Sequence, residues 1–305
     1  MAKHEKAFGV TGLLLASFFW GAEFVVEKDI LSMVDANYSN AIRFGIASLI
    51  CTIALLPHIR KINRRNLFDG CITGLFMGLG FAFQTMGLKT INAGENAVLC
   101  SAYIMIIPLI EWFYMRKNPG LRVFIYAALA IAGIFLISYD GTMAAWNFSK
   151  GELLTLSGSF FYAVAIITIN AVSSKTDPVM LTLVQFYVIT IVSVVFAITL
   201  ERPPADFSWM MAAEFAYLIF FATIGAQMLM NFCMKYVTSS AGGLIFSTES
   251  IFAAALGVIF LHETTTVFLW IGMALIVGTN ILYQTGFPGN ASDRIELELS
   301  SNKSD

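Results

Sequence analysis

The sequence predicts an all-α integral membrane protein, in which ten transmembrane helices form two inverted five-helix repeats around a central cavity. Hydrophobic residues make up 58% of the chain and charged residues only 12%, whereas a soluble domain carries about 25% charged residues. The apolar residues fall into segments of about 20 residues, which is the length that crosses a bilayer as a helix. The second half of the chain also repeats the residue pattern of the first half.

The apolar segments are separated by short loops, and prolines stand at several of their ends. Pro57, Pro119, Pro178 and the Pro203–Pro204 pair mark such ends, where helix breakers belong. The polar, acidic stretch 286–305 is predicted to be a disordered cytoplasmic tail. The predicted spans cover residues 7–27, 38–57, 67–88, 94–115, 122–140, 151–173, 178–200, 208–234, 240–261 and 267–285.

The internal repeat begins in the first span. Residues 16–44 align with residues 158–186 without a gap, and adding 142 carries Ser17 onto Ser159. A second offset, of 146, relates later spans and carries Lys89 onto Lys235.

This repeat divides the chain into two predicted domains, residues 8–140 and residues 151–285. Each copy holds five spans, which is an odd number, so the second copy must lie inverted in the membrane. Two inverted halves around a shared site near the bilayer midplane are typical of alternating-access transporters.

The basic residues predict that both termini are cytoplasmic, since lysines and arginines concentrate in cytoplasmic loops. With the N-terminus inside, thirteen of them lie on the cytoplasmic side and four outside, while Arg43 lies within a span. The cytoplasmic set is Lys3, Lys6, Arg60, Lys61, Arg64, Arg65, Arg116, Lys117, Arg122, Lys175, Lys235, Arg294 and Lys303. The outer set is Lys28, Lys89, Lys150 and Arg202.

The residue patterns of soluble enzymes are missing from the sequence. It has no glycine-rich phosphate loop, no HExxH motif and no nucleophile elbow. The four cysteines fall inside apolar stretches without metal-ligand spacing and are interpreted as packing residues. We therefore expect no catalytic residue, no metal, no cofactor and no nucleic-acid partner.

Two charged residues inside the first two spans form a candidate gate or substrate clamp. Glu23 lies about a turn from the outer end of span one, and Arg43 lies at a similar depth in span two. A charge inside the membrane is costly unless it is paired or faces water. The pair is therefore either a static bridge between two helices or a contact for the substrate.

Glu249 is the most informative residue, because it is predicted near the middle of span nine. Burial favours the protonated form of a carboxyl group, so Glu249 could exchange a proton, as a proton-coupled carrier requires. The alternative is a protonated glutamate hydrogen-bonded to a neighbouring helix. The repeat places Tyr103 at the equivalent position of the first half, and the two side chains would form the floor of a substrate site.

The remaining candidates for substrate binding are aromatic or amide side chains on predicted cavity helices. Such groups suit a small polar metabolite, although packing or hydrogen bonding between helices is the alternative for each of them. Gln185 takes the place of Arg43 in the second half. The candidates are Trp20 and Tyr162, which are equivalent by the repeat, and Gln84, Gln227 and Asn231.

Several short motifs together resemble a known family. Trp20-Gly21-x-x-Phe24 followed by Arg43-Phe44 resembles the first two spans of the EamA domain in the drug/metabolite transporter superfamily. Residues 87–108 are similar to its third and fourth spans, and Ser239 to Phe252 look like the same block in a second copy.

The resemblance implies a ten-helix carrier with both termini in the cytoplasm. In that family spans one, three, four, six, eight and nine line the central cavity, and members typically export amino acids or other small metabolites. The sequence departs from the family pattern at Glu23, where a small polar residue is usual, and at Ser250, where proline is usual.

The function predicted from the sequence is that of a secondary transporter, not an enzyme, in the cytoplasmic membrane. It would export a small polar metabolite such as an amino acid by alternating access, with the proton as a candidate coupling ion. A multidrug or organic-cation exporter is the alternative, and a channel or a membrane scaffold is less favoured. The expected partners are a small-molecule substrate and the lipid bilayer, and a homodimer is a candidate oligomeric state.

Overall fold

The computed structural model of the chain describes residues 3–57, 62–115, 121–137, 148–204, 208–237, 239–246, 248–263 and 265–285. Every regular element in these ranges is a helix. The predicted tail 286–305, the end of the first predicted domain at residues 138–140 and the basic loop residues Arg60, Lys61, Arg116 and Lys117 lie outside the described residues.

Thirteen α-helices are present in the described part of the chain, with a π-helical segment at Leu218–Gly225 and a 3-10 turn at Met234–Tyr236. In chain order the α-helices are α1 (Lys3–Ile30), α2 (Ala36–Leu55), α3 (Arg64–Leu88), α4 (Ala93–Cys100), α5 (Tyr103–Met115), α6 (Leu121–Ile137), α7 (Lys150–Ser173), α8 (Pro178–Leu200), α9 (Trp209–Tyr217), α10 (Ala226–Cys233), α11 (Ser239–Phe246), α12 (Thr248–Phe260) and α13 (Val267–Thr285).

Within the described ranges, seven helical stretches are long and apolar enough to cross a membrane. Each of the ten predicted spans falls on helix. Helical stretches beyond these seven, such as Thr248–Phe260, are apolar but shorter than a membrane crossing needs. The count of ten crossings therefore stays a prediction. The seven stretches are Ala7–Ile30, Ala36–Leu55, Arg64–Leu88, Ala93–Phe113, Lys150–Ser173, Pro178–Leu200 and Trp209–Tyr236.

The fourth predicted span is divided into two helices by a turn at residues 101–102, which separates α4 from α5. In the ninth predicted span, α11 and α12 lie on either side of residue 247, which is outside the described residues. The offset of 146 carries α4 onto α11, so equivalent residues of the two halves are helical.

Two equivalent serines join each half of the chain to the other half. Ser17 on α1 donates a hydrogen bond to the carbonyl oxygen of Ile245 on α11 at 3.0 Å. Ser159 on α7 donates to the carbonyl oxygen of Cys100 on α4 at 2.8 Å. Helices α4 and α11 are thus each held beside a helix of the other half.

Helices α3 and α8 pack closely because α3 presents glycines to α8. A Cβ atom added at Gly74 would lie 3.0 Å from the Cα atom of Gln185, and one added at Gly78 would lie 3.2 Å from the Cα atom of Ile189. Small residues at this spacing allow two membrane helices to approach backbone to backbone.

Carboxylates link the two halves at the end of the bundle that holds the loop after α1. Glu201 accepts hydrogen bonds from the backbone N–H groups of Asn37, at 2.8 Å, and Tyr38, at 3.1 Å, and so caps the start of α2. Asp35 accepts from the Lys89 ammonium group and from the backbone N–H of Arg202. The bond from Lys89 lowers the pKa of the Asp35 carboxyl below its usual value.

Candidate functional site

A cavity lies where the two halves meet. Most of its lining is apolar or aromatic, a composition typical of small-molecule sites, and the described lining residues include no lysine or arginine. They are Trp20, Glu23, Phe24, Met77, Phe81, Gln84, Cys100, Tyr103, Tyr162, Ile166, Met230, Phe246 and Glu249.

Tyr103 and Glu249 contact each other in the cavity lining. Tyr103 begins α5, and Glu249 lies on α12. The Tyr103 hydroxyl donates a hydrogen bond to Glu249 Oε1 at 3.3 Å. The two repeat-equivalent side chains thus meet at one cavity, and both are buried.

Glu249 is positioned by close packing of its backbone against α1. A Cβ atom added at Gly21 would lie 2.5 Å from the Cβ atom of Phe252 and 2.8 Å from the carbonyl oxygen of Glu249. Only glycine fits at this point without a shift of one helix. The contact fixes the first turn of α12 beside the cavity wall that carries Trp20 and Glu23.

Trp20 and Tyr162, the two equivalent aromatic residues, both line the cavity and are both hydrogen-bonded. The Trp20 indole donates to the carbonyl oxygen of Ala222 at 2.9 Å, which lies in the π-helical segment. Such segments recur at functional sites in proteins. The Tyr162 hydroxyl donates to Gln84 Oε1, which holds both side chains in the same wall.

Glu23 and Arg43 are in contact, as one of the two interpretations of this pair required. Arg43 Nη1 lies 2.5 Å from Glu23 Oε1 and 3.6 Å from Glu27 Oε2. The Arg43 guanidinium also lies over the rings of Phe44 and Phe81, at 4.8 and 4.9 Å from their centroids. Glu23 lines the cavity, whereas Arg43 sits behind it with no exposed surface.

Glu27 is a functional candidate that sequence reasoning missed. The predicted first span ended at residue 27, where an acidic residue is unremarkable, but α1 continues to Ile30. Glu27 is therefore buried within the bundle, at 1% exposure. Its spacing of four residues from Glu23 places both on one helix face, and this spacing could have identified it.

Gln227 and Asn231 are not among the residues that line the cavity, and their place beside the substrate stays a prediction. Their amide nitrogens donate to Gln185 Oε1 at 3.2 and 2.7 Å, and Asn231 also donates to Thr182 at 2.7 Å. Buried amides need hydrogen-bond partners, and these find theirs on α8. Helix α10 presents Met230 to the cavity instead.

Several apolar lining residues were missed, because the sequence analysis favoured polar and charged side chains in apolar spans. Phe24 lies four residues after the predicted Trp20 on α1, and Met77 and Phe81 precede the predicted Gln84 at helical spacing on α3. This periodicity marks one face of each helix, but it does not distinguish a cavity face from a packed one. In the described ranges no group of three or more His, Cys, Asp or Glu side chains could hold a metal ion.

Comparison with known proteins gives two family matches and related transporters. The EamA-like transporter family matches residues 7–139 and again residues 149–283. An uncharacterized transporter of Archaeoglobus fulgidus is 29% identical over 90% of this chain and 84% of its own length. The uncharacterized transporter YvbV of Bacillus subtilis is 23% identical over 90% of this chain and 92% of its own length.

A solved crystal structure shares the fold. It covers 92% of this chain and 96% of its own chain with a TM-score of 0.65, at 17% sequence identity. The two family matches together cover most of the sequence and confirm the resemblance seen in its motifs. The chain belongs to the EamA-like transporter family, as a multi-pass membrane protein that carries the family domain twice.

Proposed function

We propose that this transporter exports small organic solutes that carry a protonated amine, by alternating access between two inverted five-helix halves. The proposal keeps ten membrane crossings, domains at 8–140 and 151–285, and both termini in the cytoplasm of a cell whose cytoplasmic membrane holds the protein. The two halves would rock about the cavity so that it faces each side of the membrane in turn.

The observation that carries the proposal is the buried Glu249 carboxyl in an aromatic-walled cavity. A carboxylate in low dielectric attracts a cation strongly, and aromatic faces bind ammonium groups as well. Trp20, Tyr103 and Phe246 stand beside Glu249 in the lining. An amine entering the cavity would find both kinds of contact at one place.

We expect the proton to be the coupling ion for this site. Glu249 accepts a hydrogen bond from Tyr103, and the buried cation Arg43 is engaged by Glu23 and Glu27. A buried carboxylate without a cationic partner favours its neutral form. We expect Glu249 to hold a proton when the cavity is empty and to release it when the amine binds.

Amino acids and organic cations are both amine-bearing solutes, and different residues favour each class. Gln84 favours amino acids, because its amide nitrogen can donate to a carboxylate while its oxygen accepts from Tyr162. The lack of a basic side chain in the described lining favours organic cations. Of the two candidate clamp residues, only Glu23 reaches the cavity, so we assign substrate contact to Glu23 and support of its position to Arg43.

Transport from proteoliposomes tests the proposal. Vesicles loaded with amino acids, organic amines and dyes would be compared with and without a pH gradient, for the wild type and for Glu249→Gln. We expect selective efflux of amine-bearing solutes in the wild type, driven by an outside-acid gradient, and loss of that pH dependence in the variant.

The matched control is Glu214→Gln, which removes a carboxylate on α9 away from the cavity lining and should transport like the wild type. Efflux that is unchanged in Glu249→Gln would exclude Glu249 from the site. Efflux of no solute beyond empty liposomes would contradict the proposed function as a whole.

A further inference from the structure

We propose that the substrate of this cavity carries two positive charges separated by an apolar chain, as a linear diamine does. This inference rests on the proposed function. The substrate class follows from the balance between the buried acidic and basic groups of the site.

Among the described residues, the buried charged groups in and behind the cavity wall are three carboxyl groups and one cation. Glu23, Glu27 and Glu249 are 4%, 1% and 5% exposed, and Arg43 is 0% exposed. With all four ionised the group carries an excess of two negative charges. Buried charges in a low-dielectric interior are costly unless they are compensated, so two positive charges must enter with any state in which the carboxyl groups are ionised.

In the part of the chain that the structure describes, neighbouring groups do not supply these charges. Lys28 follows Glu27 in the chain, but its ammonium donates to the carbonyl oxygens of Leu88, at 2.7 Å, and Ile91, at 2.8 Å. The remaining titratable groups around the cluster are phenols and a thiol, which are neutral near pH 7. They are Tyr103, Tyr162, Tyr217 and Cys100.

The two carboxyl groups that line the cavity stand on different helices. Glu23 belongs to α1 and Glu249 to α12, and both contribute to the same lining. Glu23 Oε1 is taken by Arg43, but Glu23 Oε2 is buried and has no hydrogen-bond partner among the described residues. This orphaned oxygen is an acceptor for a ligand group that enters the cavity, since buried polar atoms are rarely left unpaired.

The rest of the cavity lining suits a methylene chain. Phe24, Met77, Ile166, Met230 and Phe246 supply apolar surface to the same cavity, and a buried methylene contributes about 0.8 kcal/mol. One ammonium group of a diamine would bind at Glu249 beside Tyr103. The other would bind at Glu23 Oε2, beside the ring of Trp20.

The same charge balance predicts how many protons are exchanged for each substrate molecule during transport. In the empty cavity two protons neutralise the excess carboxylates, and in the loaded cavity the two ammonium groups replace them. One dication leaves the cell for each two protons that enter, so the net charge moved is zero. A monoamine would replace one proton only and leave Glu23 Oε2 without its partner.

Isothermal titration calorimetry on the purified full chain in detergent tests this inference. The probes are linear diamines of increasing chain length and amino alcohols of the same lengths, which carry one charge fewer. Titration in buffers of different ionisation enthalpy counts the protons released. We expect the best diamine to bind about tenfold or more tighter than its matched amino alcohol, and to release close to twice as many protons.

Two variants locate the effect. Glu23→Gln keeps Arg43 paired with Glu27 and should remove the preference for the diamine, so that both probes bind alike. Glu249→Gln should weaken both probes, while the control Glu214→Gln should bind both like the wild type. The wild-type comparison of the two probes stands even if a variant fails to fold.

The failure of this inference is distinguishable from the failure of the proposed function. Equal affinity and equal proton release for the diamine and the amino alcohol would overturn the dication and leave an exporter of single amines. A preference for the diamine that Glu23→Gln does not change would overturn it as well. If no amine of either kind binds and none is transported from proteoliposomes, both proposals fall.

Discussion

Arg43 is the buried cation that compensates the negative charge of Glu23 and Glu27. Its guanidinium contacts Glu23 at 2.5 Å and Glu27 at 3.6 Å, and it lies over the rings of Phe44 and Phe81. Removing one partner of a buried ion pair leaves an uncompensated charge, which is more costly than the pair itself is stabilising.

We therefore predict that Arg43→Gln lowers the free energy of unfolding by about 3–5 kcal/mol. The matched control is Arg65→Gln, because the Arg65 side chain is 55% exposed in its pair with Asp69 and should cost less than about 1 kcal/mol. Denaturant unfolding in detergent measures both. A loss for Arg43→Gln no larger than that for Arg65→Gln would show that the buried pair does not stabilise the bundle.

Asp35 offers a prediction about pH. Its pair with Lys89 is partly exposed, at 25% for Asp35 and 44% for Lys89, so Asp35→Asn should cost no more than about 1 kcal/mol at neutral pH. Because the pKa of Asp35 is lowered in the folded protein, its stabilising effect is present above the unfolded pKa of about 3.9 and is lost as pH falls through the folded pKa. Unfolding of wild type and Asp35→Asn should therefore converge in acid. A difference that persists or grows as the pH falls would contradict this assignment.

Some residues of the site could be recognised from the sequence, and the roles of others could not. Glu23, Arg43 and Glu249 could be recognised because a charge in an apolar span is costly and rare. Gln227 looked equally informative, yet its partner Gln185 can only be known from how α10 packs on α8. A polar side chain inside a span needs a hydrogen-bond partner, but the sequence does not show which neighbour supplies it.

At the scale of helices, the contact between α1 and α12 positions the site. Gly21 lies against the carbonyl oxygen of Glu249, where an added Cβ atom would be 2.8 Å away. We predict that Gly21→Ala pushes α12 from α1, lowers the free energy of unfolding by about 1–3 kcal/mol and weakens amine binding by displacing Glu249.

The control for this prediction is Gly278→Ala on α13, since nothing lies within 4 Å of its added Cβ atom. This change should leave stability and binding close to those of the wild type. Thermal unfolding in detergent and calorimetry with the same amine measure both quantities. Wild-type behaviour of Gly21→Ala would show that the two helices are not in tight contact.

The helices themselves could be predicted from hydropathy, but the turn at residues 101–102 could not. Ala93–Phe113 forms one continuous apolar stretch, so a sliding average of hydropathy does not resolve a turn within it. Hydropathy also does not show that Tyr103 and Glu249 meet in one cavity, and only the repeat related the two residues in the sequence.

At the scale of the whole molecule, the inverted arrangement of the two halves is the property most open to test. Met33 and Lys175 are equivalent by the offset of 142, and both are exposed in loops, after α1 and after α7. If the halves are inverted, these two loops lie on opposite sides of the membrane.

We predict that Met33→Cys is labelled by an impermeant thiol reagent from outside the cell, and Lys175→Cys from the cytoplasmic side. The background is the chain with its four native cysteines replaced by alanine. Intact cells and inside-out vesicles give the two readings. Labelling of both cysteines from the same side would contradict the inverted repeat.

The measurement that tests the central claim most directly is counterflow in proteoliposomes. Vesicles filled with an unlabelled amine substrate would be diluted into a trace of the same amine in labelled form. An alternating-access carrier returns loaded, so the label should accumulate transiently above equilibrium in the wild type and not in Glu249→Gln. Entry of the label without such an overshoot would indicate a channel, and no entry beyond that into empty liposomes would contradict amine transport by this protein.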